Sequence, residues 1–232
     1  MSGSVKLERR DDVAWVGMDD GKANALSPVL IGALNAALDG VEKDAAAVVL
    51  SGRAGRFCGG FDLSVMRQGG RAAIDLVGAG AELCLRLLEF PKPVVVACGG
   101  HAIAAGALLV LSCDWRIGVR GEFEIGLNEV GIGMTLPHFA REIARERLAR
   151  HHLGRAAVLA ELYAPEAALE AGYFDELSEQ GALLAAAHAA ANRLAKLDAR
   201  AFAHTKRALR ADVVAAIRSN LDRDLGRELG GA

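Results

Sequence analysis

The stretch PVVVACGGHAIAAGALLVLSCD, residues 93–114, determines the predicted fold, because it contains no Asp, Glu, Lys or Arg before its last residue. Its length alone would allow it to span a bilayer. Its internal order predicts something else: consecutive valines favour a buried strand, Gly99 and Gly100 a sharp turn, and the small and aliphatic residues after His101 a short buried helix. The first N–H groups of such a helix lack intrahelical partners, so they can attract an anion or a developing oxyanion. A tight turn in a packed α/β core is the simpler interpretation of this stretch alone.

Length and composition indicate one large folded unit with a small-molecule partner. The 232 residues are 52% hydrophobic, which supports a sizeable core. The net charge of −2 gives no general attraction to nucleic acid or to an anionic membrane surface. We therefore predict an α/β core over residues 1–195, a helical tail over residues 196–232, and neither nucleic acid nor a membrane as partner.

The cysteines and the first residues favour the cytoplasm. Cys58, Cys84, Cys98 and Cys113 form no CxxC pair and have no histidines at metal-ligand spacing, so we expect reduced, mostly buried thiols and no metal site. The opening sequence MSGSVKLERRDD contains no apolar signal segment.

Strands and helices alternate up to Pro137, which indicates an α/β fold. The predicted strands cover residues 5–18 as a hairpin, 46–51, 94–98, 115–119 and 123–125. Amphipathic helices are predicted from a cap at Ser27 to about Lys43, and from Ile74 to about Phe90. After Pro137 only helices are predicted, over residues 141–151, 155–162, 165–171, 181–197 and 199–221, with Gly172 as a C-terminal cap.

A second glycine-rich loop, GRAGRFCGGFDL at residues 52–63, follows the predicted strand 46–51. Paired glycines let the main chain approach a ligand closely, and Asp62 is expected to begin a helical turn. N–H groups from the two loops could then converge on one oxygen. A turn followed by a capping aspartate explains GGFD when it is taken alone.

Four motifs in a fixed order carry a resemblance to a known family. They are KANALS at residues 22–27, FCGGFDL at 57–63, KP at 92–93 with SCD at 112–114, and GLNEVGIG at 126–133. With the helical segment after Pro165, they resemble the crotonase family, also called the enoyl-CoA hydratase/isomerase family, from about residue 5 to residue 210.

The resemblance implies a crotonase-like α/β fold, which is a spiral of β-β-α turns with a C-terminal helical region. It implies an acyl-CoA thioester substrate whose oxygen is held by the main-chain N–H groups of Phe61 and Ala105. Substrate contacts are implied for Ala23, Ala25, Gly59, Gly60, Asp62, Leu63 and Leu108. It also implies no cofactor beyond the coenzyme A of the substrate, and a homo-oligomer, a trimer or a pair of trimers, with the helical tail at the interface.

The acidic residues within these motifs favour one reaction of the family. Hydratases of the family use two glutamates, whereas this chain has Leu108 at the first position and Glu129 at the second. A single carboxylate suits the transfer of a proton from the α-carbon to the γ-carbon of a dienolate better than it suits hydration. The arrangement is similar to that of Δ3,Δ2-enoyl-CoA isomerases. A hydratase with a substituted second acid and a non-catalytic acyl-CoA-binding protein are the alternatives, and decarboxylation and thioester hydrolysis stay open.

Glu129 is expected to lie in an apolar pocket formed by Leu108, Ile132 and Met134, which would raise its pKa. Residue type alone would favour an exposed loop acid without a special role.

Other residues depart from the family pattern or are expected to be structural. Ala104 and Ala105 stand where the family usually has glycine, which narrows the approach to the thioester, and Phe61 is expected to shape the acyl pocket. Structural roles are expected for His101, His138 and Asp114. The basic tail, with Lys206 and Arg207, is expected to be a solvated helix face, with contact to CoA phosphates as the alternative.

Overall fold

The computed structural model describes residues 4–228, which form two β-sheets with helices packed around them. The strands are β1 (Val5–Arg10), β2 (Val13–Met18), β3 (Ala47–Ser51), β4 (Gly55–Cys58), β5 (Val94–Cys98), β6 (Gly100–Ile103), β7 (Trp115–Val119), β8 (Ile125–Gly126) and β9 (Glu176–Ser178). The helices are α1 (Pro28–Glu42), α2 (Leu63–Met66), α3 (Gly70–Glu89), α4 (Ala105–Ser112), α5 (His138–Arg147), α6 (Leu153–Ala157), α7 (Pro165–Ala171), α8 (Leu183–Leu194), α9 (Ala199–Leu209) and α10 (Ala211–Glu228). A short 3-10 turn covers Val130–Ile132.

After the opening hairpin the chain follows a spiral. Strands β1 and β2 pair antiparallel, and the later strands of both sheets pair parallel. The larger sheet has the order β1-β2-β3-β5-β7-β9 and the smaller sheet β4-β6-β8. Each turn of the spiral places one strand in the larger sheet and the next strand in the smaller sheet before a helix follows. This arrangement confirms the predicted α/β spiral of β-β-α turns.

Residues 93–114 lie at the centre of the fold. Strand β5 and helix α4 are buried along their whole length. Continuous apolar runs of this kind are typical of parallel strands with helices on both faces. Helices α1, α3 and α4 pack against one face of the larger sheet, and α8 packs against the other. Within residues 4–228, no helix is long and apolar enough to cross a membrane.

Three strands were not predicted from the sequence, and the predicted helix 155–162 ends at Ala157. Strands β4 and β6 occupy positions predicted as loop and turn, and β9 lies in the region where only helices are predicted. A β-carbon on Gly100 would overlap the main chain of Gly55, so β4 and β6 pair closely only because residue 100 has none. Pairing with each other, rather than local preference, makes these segments strands. Strand β9 is short and forms an edge beside β7.

The helical tail packs against its own chain. The predicted helix 199–221 is broken at Arg210 into α9 and α10, and α10 lies against α3 and α5. The Arg210 Nη1 donates to Leu88 O at 2.9 Å, which draws this buried side chain inward at the break. The division at residue 195 stays a prediction, and residues 1–3 and 229–232 of the two predicted regions lie outside the described chain.

A buried ion cluster joins the tail to the core. Lys206 Nζ lies 2.6 Å from Asp114 Oδ2, and Arg210 Nη2 lies 3.0 Å from Asp114 Oδ1. Lys206 is 6% exposed, so its expected place on a solvated face is wrong. Burial lowers the pKa of Lys206 to about 8, although the charge of Asp114 opposes this change. Asp114 Oδ2 also accepts the Val94 N–H at 2.9 Å, so this carboxylate fixes the start of β5.

Candidate active site

The N–H group of Phe61 lies in the first glycine loop. Leu26 bridges this loop: its N–H donates to Gly60 O at 2.8 Å, and its carbonyl accepts from the Asp62 N–H at 3.0 Å. In a parallel bridge of this kind, the N–H of the middle residue, here Phe61, points away from the bridging residue Leu26. Among the described residues, none accepts a hydrogen bond from the Phe61 N–H. This donor is therefore available to a ligand.

The second glycine stretch ends at a helix start that presents another donor. Ala105 is the first residue of α4, and N–H groups in the first turn of a helix lack intrahelical acceptors. Ala104 precedes it with φ of 53° and ψ of −120°, a strained conformation for a residue with a β-carbon. The Ala104 N–H donates to Gly126 O at 2.8 Å, and its carbonyl accepts from the Leu108 N–H at 3.1 Å. The strained residue thus joins the β6–β8 pairing to the first turn of α4.

The two loops are in contact. A β-carbon on Gly60 would lie 3.2 Å from Ala104 Cβ and 3.8 Å from Ala105 N. A β-carbon on Gly106 would overlap the main chain of Cys58, so α4 reaches the first loop only because residue 106 has no side chain. The predicted donors on Phe61 and Ala105 therefore stand on segments that touch.

Glu129 lies on the segment that follows β8, the strand that pairs with β6. The carbonyl of Gly126 accepts the Ala104 N–H, and the three residues from there to Glu129 span at most about 10 Å. Glu129 is 7% exposed, and among the described residues its Oε2 has no hydrogen-bond partner. Burial raises its pKa from the usual 4.5 to about 7. A carboxyl group that titrates near neutral pH is suited to take and return a proton.

The three residues predicted to line a pocket around Glu129 differ in burial. Leu108 is buried, but Ile132 is 56% exposed and Met134 is half-buried. Tyr173 is fully buried, and the sequence indicated no role for it. Its pKa is raised by burial first, and then by the charges of Tyr163 and Glu129. An aromatic residue that follows a helix-ending glycine is typical of a hydrophobic core, so no sequence signal distinguished Tyr173 from other core residues.

The KANALS segment lies beside the first loop and is held there by Asn24. This residue is fully buried with φ of 50°, a conformation in which Asn is enriched, and its Nδ2 donates to Phe57 O at 3.1 Å. The Gly59 N–H donates to Ala23 O at 2.9 Å. Ala23 and Gly59 are both exposed, and Ala25 is half-buried. Two predicted substrate contacts therefore lie side by side at the surface, and Asn24, which sequence reasoning gave no role, fixes them.

Of the side chains after Gly60, that of Phe61 packs against α3 and that of Asp62 caps α2. A β-carbon on Gly80 of α3 would overlap the ring of Phe61, so the ring is seated in the gap that this glycine leaves. Asp62 begins α2 as predicted, because its Oδ1 accepts the Ser64 N–H at 2.8 Å. Leu63 is 56% exposed.

The remaining candidate residues have partners away from the loop junction. His101 Nδ1 accepts the Glu124 N–H at 3.1 Å, and His138 Nε2 lies 3.2 Å from Ala216 O. All four cysteines are buried and outside disulfides, and burial raises the pKa of each thiol to about 12. Within the described part of the chain, no group of three or more His, Cys, Asp and Glu residues could hold a metal ion.

Comparison with solved structures supports the predicted spiral. A crystal structure of an enoyl-CoA hydratase/isomerase family protein from Pseudomonas syringae is 43% identical to this chain with a TM-score of 0.96, covering 98% of this chain and 99% of that one. The structure of human mitochondrial Δ3-Δ2-enoyl-CoA isomerase is 27% identical with a TM-score of 0.92, covering 98% of this chain and 91% of that one.

Comparison of sequences gives the family. A probable enoyl-CoA hydratase of Bacillus subtilis is 30% identical over 152 residues, which are 64% of this chain and 57% of that protein. The chain spans from 20% to 75% of the length of the curated relatives that it matches, and about half the length of several of them. The family described as enoyl-CoA hydratase/isomerase matches residues 8–226. With the geometry of its two loops, this match places the chain in the enoyl-CoA hydratase/isomerase family, whose members have the crotonase fold.

Proposed function

We propose that this protein is a Δ3,Δ2-enoyl-CoA isomerase, which moves the double bond of a 3-enoyl-CoA to the 2-enoyl position with Glu129 as its single acid and base. One observation carries the proposal above all: Glu129 is a buried carboxyl group whose pKa is raised to about 7, on the segment that follows β8, and β8 pairs with the strand that leads into the second glycine stretch. The similarity to the human isomerase supports it.

The proposed reaction needs only these groups. The carboxylate of Glu129 removes a proton from the α-carbon, and the electron pair of the broken C–H bond moves toward the thioester oxygen. The N–H groups of Phe61 and Ala105 donate to that oxygen as its negative charge grows. Protonated Glu129 then returns the proton to the γ-carbon, the charge leaves the oxygen, and a conjugated 2-enoyl thioester forms. Apart from the coenzyme A of the substrate, we propose no cofactor.

Leu108 supports isomerisation over hydration. It is buried on α4, whose sequence AGALLVLS contains no acid. Hydration requires one group to activate water and one to handle its proton, and the resemblance assigns one of these two acids to position 108, where this chain has Leu. A hydratase is the second candidate because the Bacillus subtilis relative carries that name. A non-catalytic acyl-CoA-binding protein is the third, since the methyl groups of Ala104 and Ala105 narrow the approach to the donors.

Separate assays with two substrates test the proposal. The protein is mixed with a 3-enoyl-CoA or with a trans-2-enoyl-CoA, and the absorbance of the conjugated thioester is followed. We expect a gain of absorbance with the first substrate and no loss with the second. A loss with the second would identify a hydratase, and no change with either, despite binding detected by calorimetry, would identify a binding protein. Glu129→Gln should abolish the gain, whereas Glu124→Gln, the same change at an exposed position nearby, should not.

We also propose that the protein is a cytoplasmic homo-oligomer, a trimer or a hexamer. Leu197 and Leu209, at the ends of the α9 region, are 49% and 76% exposed, and a subunit interface on the tail would cover such side chains. The reduced, buried cysteines suit a reducing compartment. Light scattering after size-exclusion chromatography tests the oligomer, and a monomer mass would contradict it.

A further inference from the structure

One fully buried amide side chain joins the two sheets beside the first glycine loop. Asn24 Nδ2 donates to Met18 O, at the end of β2, and to Phe57 O, in β4, each at 3.1 Å. It also lies 3.3 Å from Arg56 O. An amide Nδ2 carries two N–H groups, so main-chain carbonyls of both sheets take up its donors. Asn24 therefore fixes the end of β4 relative to the larger sheet.

The orientation of this amide is set by Asp20. The Asp20 N–H donates to Asn24 Oδ1 at 2.9 Å, and the Asn24 N–H donates to Asp20 Oδ1 at 2.9 Å. Because Oδ1 accepts at this point, Nδ2 must face the carbonyls on the opposite side. A buried group that loses such bonds leaves its partners unsatisfied, which is costly. The side chain is therefore held with its donors directed toward the first glycine loop.

The residues around Asn24 continue this attachment through the main chain. We call residues 22–26 the template segment. Its last residue, Leu26, donates its N–H to Gly60 O at 2.8 Å and accepts the Asp62 N–H at 3.0 Å. The template segment therefore fixes the path of the first loop immediately before and immediately after residue 61.

The bond to Gly60 O also determines where the Phe61 N–H points. The Gly60 carbonyl and the Phe61 N–H belong to one planar trans peptide unit, in which the two groups point in opposite directions. Since the carbonyl faces Leu26, the N–H faces away from it. Gly60 has a φ of 94°, a conformation that glycine adopts at little cost. The template segment thus directs the donor that the proposed reaction uses.

We propose that Asn24 is a positioning residue, which holds the template segment so that the Phe61 N–H is directed at the thioester oxygen. Asn24 is fully buried, so it acts on the reacting atoms only through the main chain. The inference rests on the proposed function, because it takes the Phe61 N–H as a donor to the substrate. A misplacement of about 1 Å can lower a rate about 100-fold, so loss of this anchor should lower turnover even though the donor itself remains.

The test compares one change at two positions. Asn24→Gly removes the amide and still allows the φ of 50° at this position. Asn192→Gly is the matched control, since it removes an amide on α8, which packs on the other face of the larger sheet. Asp20→Ala is a milder variant, because it removes only the carboxylate that accepts the Asn24 N–H. Circular dichroism establishes that each protein is folded at the assay temperature.

The first measurement separates kcat from KM for a 3-enoyl-CoA at pH 8. We expect kcat of Asn24→Gly to fall about 100-fold while KM changes less than about threefold, because the anchor acts on a donor that matters most in the transition state. Asp20→Ala should lower kcat about threefold to tenfold, and Asn192→Gly should change neither constant. Parent-like kcat in Asn24→Gly, or an equal loss in Asn192→Gly, overturns the proposal. If Asn24→Gly does not fold, Asp20→Ala decides in the same way.

The second measurement needs no turnover and reports on the donors directly. Butyryl-CoA labelled with carbon-13 at the thioester carbonyl is bound to each protein, and its carbonyl stretching band is recorded by infrared difference spectroscopy. Two donors should lower the frequency of this band in the parent, and Asn24→Gly should lose about half of that lowering. Asn192→Gly should keep all of it. Full lowering in Asn24→Gly, or none in the parent, overturns the proposal. If the parent does not isomerise a 3-enoyl-CoA, the proposed function fails while this band still tests Asn24.

Discussion

Replacing Glu129 with Gln removes both a proton-transfer group and a buried charge, so activity and stability are expected to change in opposite directions. Burial raises the Glu129 pKa from 4.5 to about 7, a difference that corresponds to about 3 kcal/mol. Because the folded-state pKa lies above the unfolded-state value, the stabilisation by the bound proton is complete below about pH 4.5 and is lost as the pH rises through about 7. Gln is neutral at every pH and shows no such loss.

Thermal unfolding of the parent and of Glu129→Gln, followed by circular dichroism at pH 4.5 and pH 8, measures this difference. At pH 8 the variant should be more stable by up to about 3 kcal/mol, or about 6 to 12 °C in Tm. At pH 4.5 the gain should be less than about 0.5 kcal/mol. A gain of the same size at both pH values would refute the buried-charge argument.

The same variant tests catalysis. Isomerase activity of Glu129→Gln should fall by about 10² to 10⁴, and activity of the parent should rise about tenfold from pH 6 to pH 8 as Glu129 ionises. Glu124→Gln should change neither activity nor the pH dependence of Tm. A Glu129→Gln variant with nearly full activity would refute the role of Glu129 as acid and base.

Three further substitutions test the scaffold. Ala104→Gly should raise the free energy of unfolding in urea by up to about 1 kcal/mol, because it relieves the strain of φ at 53°; a loss of stability would contradict the strain. Gly60→Ala should lower the free energy of unfolding by at least about 1 kcal/mol and also lower kcat/KM, because its φ is 94° and its methyl group would crowd Ala104; full activity would contradict the contact between the loops. Asp114→Asn should cost about 3 to 5 kcal/mol, because it leaves buried cations such as Lys206 without their partner. Asp75→Asn, in an exposed pair, should cost less than about 0.5 kcal/mol, and equal losses would contradict the importance of burial.

The sequence predicts correctly those strands and helices whose boundaries and hydrophobic pattern lie within their own residues. Strand β7 and helix α7 match the predicted residues 115–119 and 165–171, because an apolar run and a proline–glycine boundary are local features. Strands β4 and β6 could not be predicted in this way, since each is a strand only beside the other. The ion pair between Lys206 and Asp114 joins residues 92 positions apart, and local pattern contains no such information.

The candidate site also combines features that local sequence predicts with features that depend on tertiary packing. The motifs identified Phe61, Ala105 and Glu129 as candidates, and the residue at position 108 favoured one reaction over another. The pKa of Glu129 depends on burial, which arises from packing between distant segments. That property could therefore not be obtained from the motifs.

The ion cluster at Asp114 also bears on how the protein is synthesised. A nascent chain folds from its N-terminal side as it leaves the ribosome. Asp114 holds the first residue of β5, yet its countercharge on Lys206 is added 92 residues later. The scaffold of the second glycine loop therefore stays incomplete through much of translation, and a chain interrupted before Lys206 carries this carboxylate without its ion-pair partners Lys206 and Arg210. Such a fragment is expected to be a ready substrate for the proteases that remove unfinished proteins.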